Sequence, residues 1–437
     1  MLNLEKKVSL YIVALLMFVS IIGSVLFGAS VRHVLIGGHK LGFFGETVLY
    51  IAEFPVQVRT IFSGNPSKIK DSRFRNLDGF KKDDKLPAGV FSDDGYLLLS
   101  SYNADKEQAT VQLIQINTQK TLHEWAPDLE HLNELSMDST DYVAKSNFRL
   151  LNPLPINSRL IFNNFGGLYG MNLCGENDMF ADGSFHHSNE LDHEGNIWVP
   201  SVAYPNSLEK KVGPFTNDSI AKISPSGEVL FNKSVAEILV ENSYRGLLAA
   251  SDDIDKDPIH LNEIQPVLTD SEFWRKGDLF LSLANLNTIL LYRPLSNKIL
   301  WLKTGPWMLQ HDINFVDNHT ISVFGNDLMY RKLFDGHNSV YFYDFKTDKV
   351  TEPYQKIMKE IKVKTLSEGR GTPLSGGDLF IEESNNGRIL RVSTDEVKWE
   401  YVSRIDEDTI AMSSWSRYLT QQEANPILAK LKGISCK

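Results

Sequence analysis

The sequence predicts an all-β body, a six-bladed β-propeller preceded by an N-terminal transmembrane helix. Three observations carry this. From about Gly79 onward, apolar runs of four to seven residues alternate with turn words such as Asp93-Asp94-Gly95, Glu194-Gly195-Asn196, Pro225-Ser226-Gly227 and Gly376-Gly377-Asp378. The same turn–strand–turn–strand order recurs with a period of about 40–50 residues, a length that belongs to propeller blades. Finally, Val8 to Val31 is apolar throughout and carries no charge.

At about 1.5 Å per residue, a helix over Val8 to Val31 spans the roughly 30 Å hydrocarbon layer of a bilayer. An uncleaved anchor over 1–35 is expected, with cleavage after Ser30 as the alternative. Lys6 and Lys7 precede the segment, and Arg32 and Lys40 follow it. That slight bias puts the amino terminus in the cytoplasm and the body on the periplasmic or extracellular side. Leu41 to Val58 is interrupted by Glu46, Glu53 and Pro55, which suits an amphipathic helix near the membrane surface or against the body. With the polar stretch Asn65 to Asp84 it makes 36–78 a linker region before a propeller over 79–415. The tail, 416–437, has a helical pattern from Gln421 to Leu431.

Five repeat units are clear. They follow Asp93-Asp94-Gly95, Glu194-Gly195, Gly277-Asp278, Asp317-Asn318 and Gly376-Gly377-Asp378, and a sixth, weaker copy covers Arg159–Met171. The other architecture compatible with such strands is a β-sandwich with long loops. The chain has 437 residues and a net charge of −10, without a dense Lys/Arg stripe, which argues against a nucleic-acid partner. Its two cysteines, Cys174 and Cys436, make no zinc knuckle. Two unrelated thiols are expected, with a single disulfide from tail to body as the alternative.

Aligning the units aligns histidines. His187-Ser188-Asn189-Glu190-Leu191 parallels His260-Leu261-Asn262-Glu263-Ile264, and His311-Asp312-Ile313-Asn314-Phe315 is a looser third copy. Equivalent positions of successive blades surround the central channel, so the three imidazoles are expected at one of its mouths. His186, His193, His319 and His337 lack the correspondence and read as turn or surface residues. The acidic run Asp252 to Asp257 lacks the Gly and terminal Glu of an EF-hand and reads as a solvated loop.

At these words the chain resembles the arylsulfotransferase-like family over most of Gly79–Ser403. The resemblance rests on His186-His187 with Asp192-His193-Glu194-Gly195-Asn196, on Asp257-Pro258-Ile259-His260-Leu261-Asn262, on Leu281-Ser282-Leu283-Ala284-Asn285-Leu286-Asn287, and on Gln310-His311-Asp312. It implies a six-bladed propeller that moves a sulfo group from an aryl sulfate to a phenol without a nucleotide donor and without a cofactor or metal. It also implies His311 as nucleophile, with His187 and His260 in support. The family's Ser-Leu-Xaa-Asn word usually contains an arginine that clamps the sulfate, and here that residue is Ala284. Arg370, in Glu368-Gly369-Arg370-Gly371, is the proposed substitute, and Asn262 offers amide donors to a sulfate oxygen.

On this reading neutral His311 attacks sulfur, His187 or His260 protonates the departing phenolate, and the same residue deprotonates the incoming phenol. Gln310, Asp312 and Asn189 orient the imidazoles. Trp307, Phe185 and Tyr244 are candidates for an aryl pocket, with the core as their other assignment. Two rival functions stay open: a non-catalytic, membrane-anchored binding propeller and a histidine-ligated metalloenzyme. Assembly as a homodimer is also left open.

Overall fold

The computed structural model describes residues 10–35, 47, 48, 51, 68–70, 73, 74, 77–81, 92–135, 148–203, 208, 215–249, 256–328 and 336–436. The chain divides into two compact units, Met1–Gly64 and Asn65–Lys437. In the first, Leu10–Leu35 is one helix, and its Tyr11–Val31 stretch is long and apolar enough to cross a membrane, as an anchor or as a signal sequence. Most of the amphipathic helix expected over Leu41 to Val58 lies outside the described residues.

The second unit is a six-bladed propeller, each blade a meander of antiparallel strands. The second blade is Leu151–Ile156, Arg159–Asn163, Leu168–Met171 and Asn177–Ala181. The third is Glu190–Leu191, Ile197–Val202, Asp218–Ile223 and Val229–Ser234. The fourth is Leu261–Pro266, Leu279–Leu283, Thr288–Arg293 and Lys298–Thr304, and the fifth is His311–Phe315, Thr320–Asn326, Asn338–Asp344 and Lys349–Thr351. The sixth, Arg370–Pro373, Leu379–Glu383, Arg388–Val392 and Val397–Val402, gains Gly79–Lys81 at its outer edge. Most of the turn words named above feed a middle strand that is buried on both faces, which is why those runs are continuously apolar rather than alternating, whereas Pro225-Ser226-Gly227 leads into the exposed outer strand Val229–Ser234.

The first blade closes the ring. Tyr96–Asn103, Gln108–Gln115 and Lys120–Trp125 take their innermost strand, Arg417–Leu419, from the far end of the chain. Within the stretch read as linker, Lys68–Lys70 pairs with Thr409–Ala411. Between blades, apolar side chains interlock: Trp274, Phe280, Trp307, Tyr341 and Tyr343 form one such cluster between the fourth and fifth. Each large side chain buried this way is worth about 1.5–3 kcal/mol.

After the closing strand, Thr420 caps the helix Gln421–Leu431 in a capping box with Glu423, and Ala424 and Ile427 bury their side chains. Beyond it Cys436 is bonded to Cys174, in the turn after Leu168–Met171. The expectation of two unrelated thiols is therefore corrected: the ring closure brings the tail back to the second blade, a proximity that spacing along the chain does not reveal. The bridge joins positions 262 residues apart, and so restrains much of the unfolded chain. Cys174→Ser is expected to lower the unfolding free energy by about 2–5 kcal/mol. Denaturant titration checks this, and an unchanged midpoint counts against a stabilising bridge.

Candidate active site

The residues that begin the innermost strands meet at one mouth of the channel. Several hold left-handed backbone conformations unusual for side-chain-bearing residues: Asn152, His187, His260, Asp312 and Trp415 have φ between 47° and 58°. The innermost strands also bulge, at Asn262 in the fourth blade and at Asp312 in the fifth. The bulges set the register. His311 pairs with Phe324 as Leu261 pairs with Leu283, so His311 sits one residue further along than His260 rather than at the identical place. That offset buries His311, which is 3% exposed, while His187 and His260 stay half-buried.

The structure brings the three predicted histidines together. The His187 ring lies 5.2 Å from that of His260 and 6.2 Å from that of His311. Asparagines fix the surrounding loops. Asn163 Nδ2 donates to the His187 carbonyl and to Asn189 Oδ1, and Asn189 Nδ2 donates to the carbonyls of Leu151 and Asn152.

His311 is tuned as a neutral imidazole with a defined tautomer. Its Nδ1 faces two acceptors, Asn326 Oδ1 at 2.7 Å and the Leu309 carbonyl at 3.1 Å, so Nδ1 carries the proton. Asn326 points its oxygen at the ring because its own Nδ2 donates to the carbonyls of Thr365 and Glu368. Nε2 is left with a lone pair, buried and without a hydrogen-bond partner. Burial pulls the His311 pKa down to about 4, against the opposing hydrogen bond to Asn326.

His260 is tuned the other way. Burial pushes its pKa down, but the 2.6 Å contact of its Nδ1 with Asp257 Oδ2, together with the charges of Asp257 and Asp218, outweighs burial and leaves it raised. The last residue of the acidic run is thus the partner of this ring. His187 is held well below the usual value, first by burial and then by His186, His260, His311 and Arg149.

His186, read from the sequence as a turn or surface residue, is corrected: its Nδ1 lies 2.7 Å from His187 Nδ1, and its Nε2 lies 3.5 Å from Asp218 Oδ1. Trp307 and Phe185 are in interblade cores. Tyr244, 37% exposed, precedes the short 3-10 helix Arg245–Leu247. The aromatic neighbours of the histidines are instead Trp415, 5.9 Å from His187 and 6.2 Å from His311, and Phe165, 5.8 Å from His187 and exposed at the opening. Neither has a repeat-position signal in the sequence.

The two proposed substrate residues lie in the framework below the rings. Asn262 Nδ2 donates to the Gln310 carbonyl, which also accepts from Ser282 Oγ. Arg370 is buried, its Nε 2.9 Å from Asp312 Oδ1 in an ion pair, with Nη1 on the Ser416 carbonyl and Nη2 on Asn152 Oδ1. Gly369 precedes it at φ 135°, where a Cβ would meet Thr365, Phe324 and the Glu382 carbonyl at 2.6–3.0 Å. Ala284 is buried beside His260, whose carbonyl accepts from its N–H. Among the described residues no group of three His, Cys, Asp or Glu is disposed to hold a metal ion.

The arylsulfotransferase (ASST) family pattern matches residues 162–404, more than half of the chain, covering the third to sixth blades and the later part of the second. The chain belongs to the arylsulfotransferase (ASST) family. No curated protein matches it. Solved structures similar to this family member include a protein of unknown function from Bacteroides caccae, at 12% identity over 75% of this chain and 100% of that one, TM-score 0.49. Others are TolB from Acinetobacter baumannii (12% identity, 76% and 68% coverage, TM-score 0.42) and a catalytically inactive virginiamycin B lyase from Staphylococcus aureus (12% identity, 78% and 99% coverage, TM-score 0.39).

Proposed function

We propose that this arylsulfotransferase-family propeller transfers a sulfo group from an aryl sulfate to a phenol through a sulfohistidine at His311. The observation that carries this reading is His311 Nε2, a buried lone pair with no partner on a ring whose other nitrogen is locked as N–H. Nε2 attacks sulfur, the N–S bond forms, and the S–O bond to the aryl oxygen breaks. The sulfo-imidazole gains positive charge at its Nδ1–H, and the Asn326 and Leu309 oxygens that accept this N–H stabilise it. Protonated His260 gives its proton to the leaving phenolate, and neutral His260 then takes the proton of the incoming phenol as its oxygen attacks the sulfo group. His187, neutral, packs against both rings. Asn262 and Arg370 take part by holding Gln310 and Asp312 in place.

Transfer of sulfo label from 4-nitrophenyl sulfate, read by mass spectrometry of peptides quenched before phenol is added, tests the intermediate. A modified peptide containing His311 is expected. Steady turnover with no adduct on that peptide would exclude His311 as the carrier.

The pH dependence follows from the two rings. His311 has to be neutral, so kcat/KM rises as pH passes through about 4. His260 has to be protonated, so kcat/KM falls as pH climbs through a value above 6.5. Asp257→Asn removes the partner that raises His260, and the alkaline limb is expected to move down. A limb that stays in place shows that another group is the acid.

The disulfide supports an oxidising compartment. With the apolar helix it favours an anchored propeller on the periplasmic or extracellular side.

A further inference from the structure

Ala284 leaves the sulfo group without the arginine expected in that word, and Arg370 is engaged by Asp312, Ser416 and Asn152. We propose that Arg149 is the anion-binding residue of this site, reaching the substrate from another blade across the face of Trp415. This rests on the sulfotransfer reading.

Arg149 lies two residues before the innermost strand of the second blade, Leu151–Ile156, one residue further back than His260 stands from that of the fourth. Its guanidinium carbon lies 5.9 Å from the centre of the Trp415 ring. That ring is in turn 5.9 Å from His187 and 6.2 Å from His311, so cation, indole and imidazoles bound one space. Arg149 is among the charges that depress the His187 pKa.

The guanidinium is held in a fixed pose. Nη1 and Nη2 donate to Glu368 Oε1 and Oε2 at 2.9 and 2.8 Å, Nε donates to Ser414 Oγ at 3.0 Å, and Nη2 also reaches the Ser413 carbonyl at 3.1 Å. A guanidinium has five N–H groups, and these contacts use four, leaving one on Nη1 for a ligand. Its side chain is 17% exposed, so the group is shielded from water without being sealed. Trp415 beneath it offers a flat apolar surface to an aryl ring. The ligand that fits is an anionic aryl ester, its ring against Trp415 and its sulfo oxygens between Arg149 and His311 Nε2. Glu368 is the competitor: its carboxylate occupies the same fork, so an incoming anion binds against it.

That competition gives a test with opposite signs. KM and kcat for 4-nitrophenyl sulfate with phenol are measured for wild type, R149A, R149K and E368Q. Binding of 4-nitrophenyl sulfate to H311A by calorimetry separates affinity from chemistry. The expected result is a KM about 10- to 100-fold higher for R149A, the loss of charge-assisted hydrogen bonds to an anion. R149K recovers part of it, E368Q lowers KM below wild type, and affinity for H311A/R149A falls in parallel. If R149A and E368Q shift the thermal midpoint alike and neither changes KM, Arg149 is a strut between blades and the proposal is overturned while sulfotransfer stands. A wild-type protein that neither turns over nor binds the aryl sulfate sinks both.

Discussion

His311→Ala is expected to cut sulfo transfer by on the order of 10⁴-fold or more. The proposed nucleophile has no stand-in in the two neighbouring rings. The Nδ1 of His260 is engaged by Asp257, and the Nδ1 of His187 by His186. The reach of the effect is set by the geometry behind the ring: Asn326 and Leu309 fix one nitrogen so that the other is free, and a side chain without that pair of nitrogens cannot be oriented by them. Turnover of a chromogenic aryl sulfate with phenol measures it, with circular dichroism to verify that the variant folds. Should the folded variant keep more than about a tenth of wild-type turnover, the sulfohistidine reading is wrong.

The largest expected effect on stability comes from Arg370→Met. The change leaves Asp312 buried opposite an apolar side chain, and an uncompensated charge of that kind costs about 3–5 kcal/mol. Asp312 also accepts from the Gly371 N–H at 2.9 Å and from Thr372 Oγ1 at 3.0 Å, so it ties the fifth blade to the sixth. Glu263 nearby is pushed well above the usual carboxylate range, by burial first and then by Glu190 and Asp312, with Arg370 and Arg417 opposing. Losing Arg370 removes one of the two cations that balance this acidic ring. Urea unfolding is the measurement, with Arg370→Met/Asp312→Leu expected to recover much of the loss. A single variant that unfolds at the wild-type midpoint but binds aryl sulfate more weakly would assign Arg370 to the substrate directly, as the sequence reading had it.

The fold was legible because each blade repeats one physical pattern. Gly376 and Gly377 take positive φ in the turn before Leu379–Glu383, Asp93-Asp94-Gly95 stands at the same point before Tyr96–Asn103, and both strands are buried on both faces. Repetition also made the three histidines visible, since a residue at the same point of several units lands near the same axis. What repetition does not encode was missed. Arg149, Phe165 and Trp415 stand in connections that differ from blade to blade, and His186 gains its meaning only from Asp218 on a different strand. The one-residue offset of His311 depends on bulges, which leave no mark in the order of apolar residues. The Cys174–Cys436 pair required knowing that the chain returns to its own beginning.

That return has a bearing on when the protein becomes competent. Trp415 and the strand Arg417–Leu419 follow every other described strand of the propeller in the chain, yet one walls the histidines and the other completes the blade that Tyr96 begins. A nascent chain already holding His187, His260 and His311 therefore has an open, five-and-three-quarter-blade ring with its imidazoles uncovered. A chain cut shortly before Trp415 keeps His187, His260 and His311 but loses the indole beside them and the strand that completes the first blade.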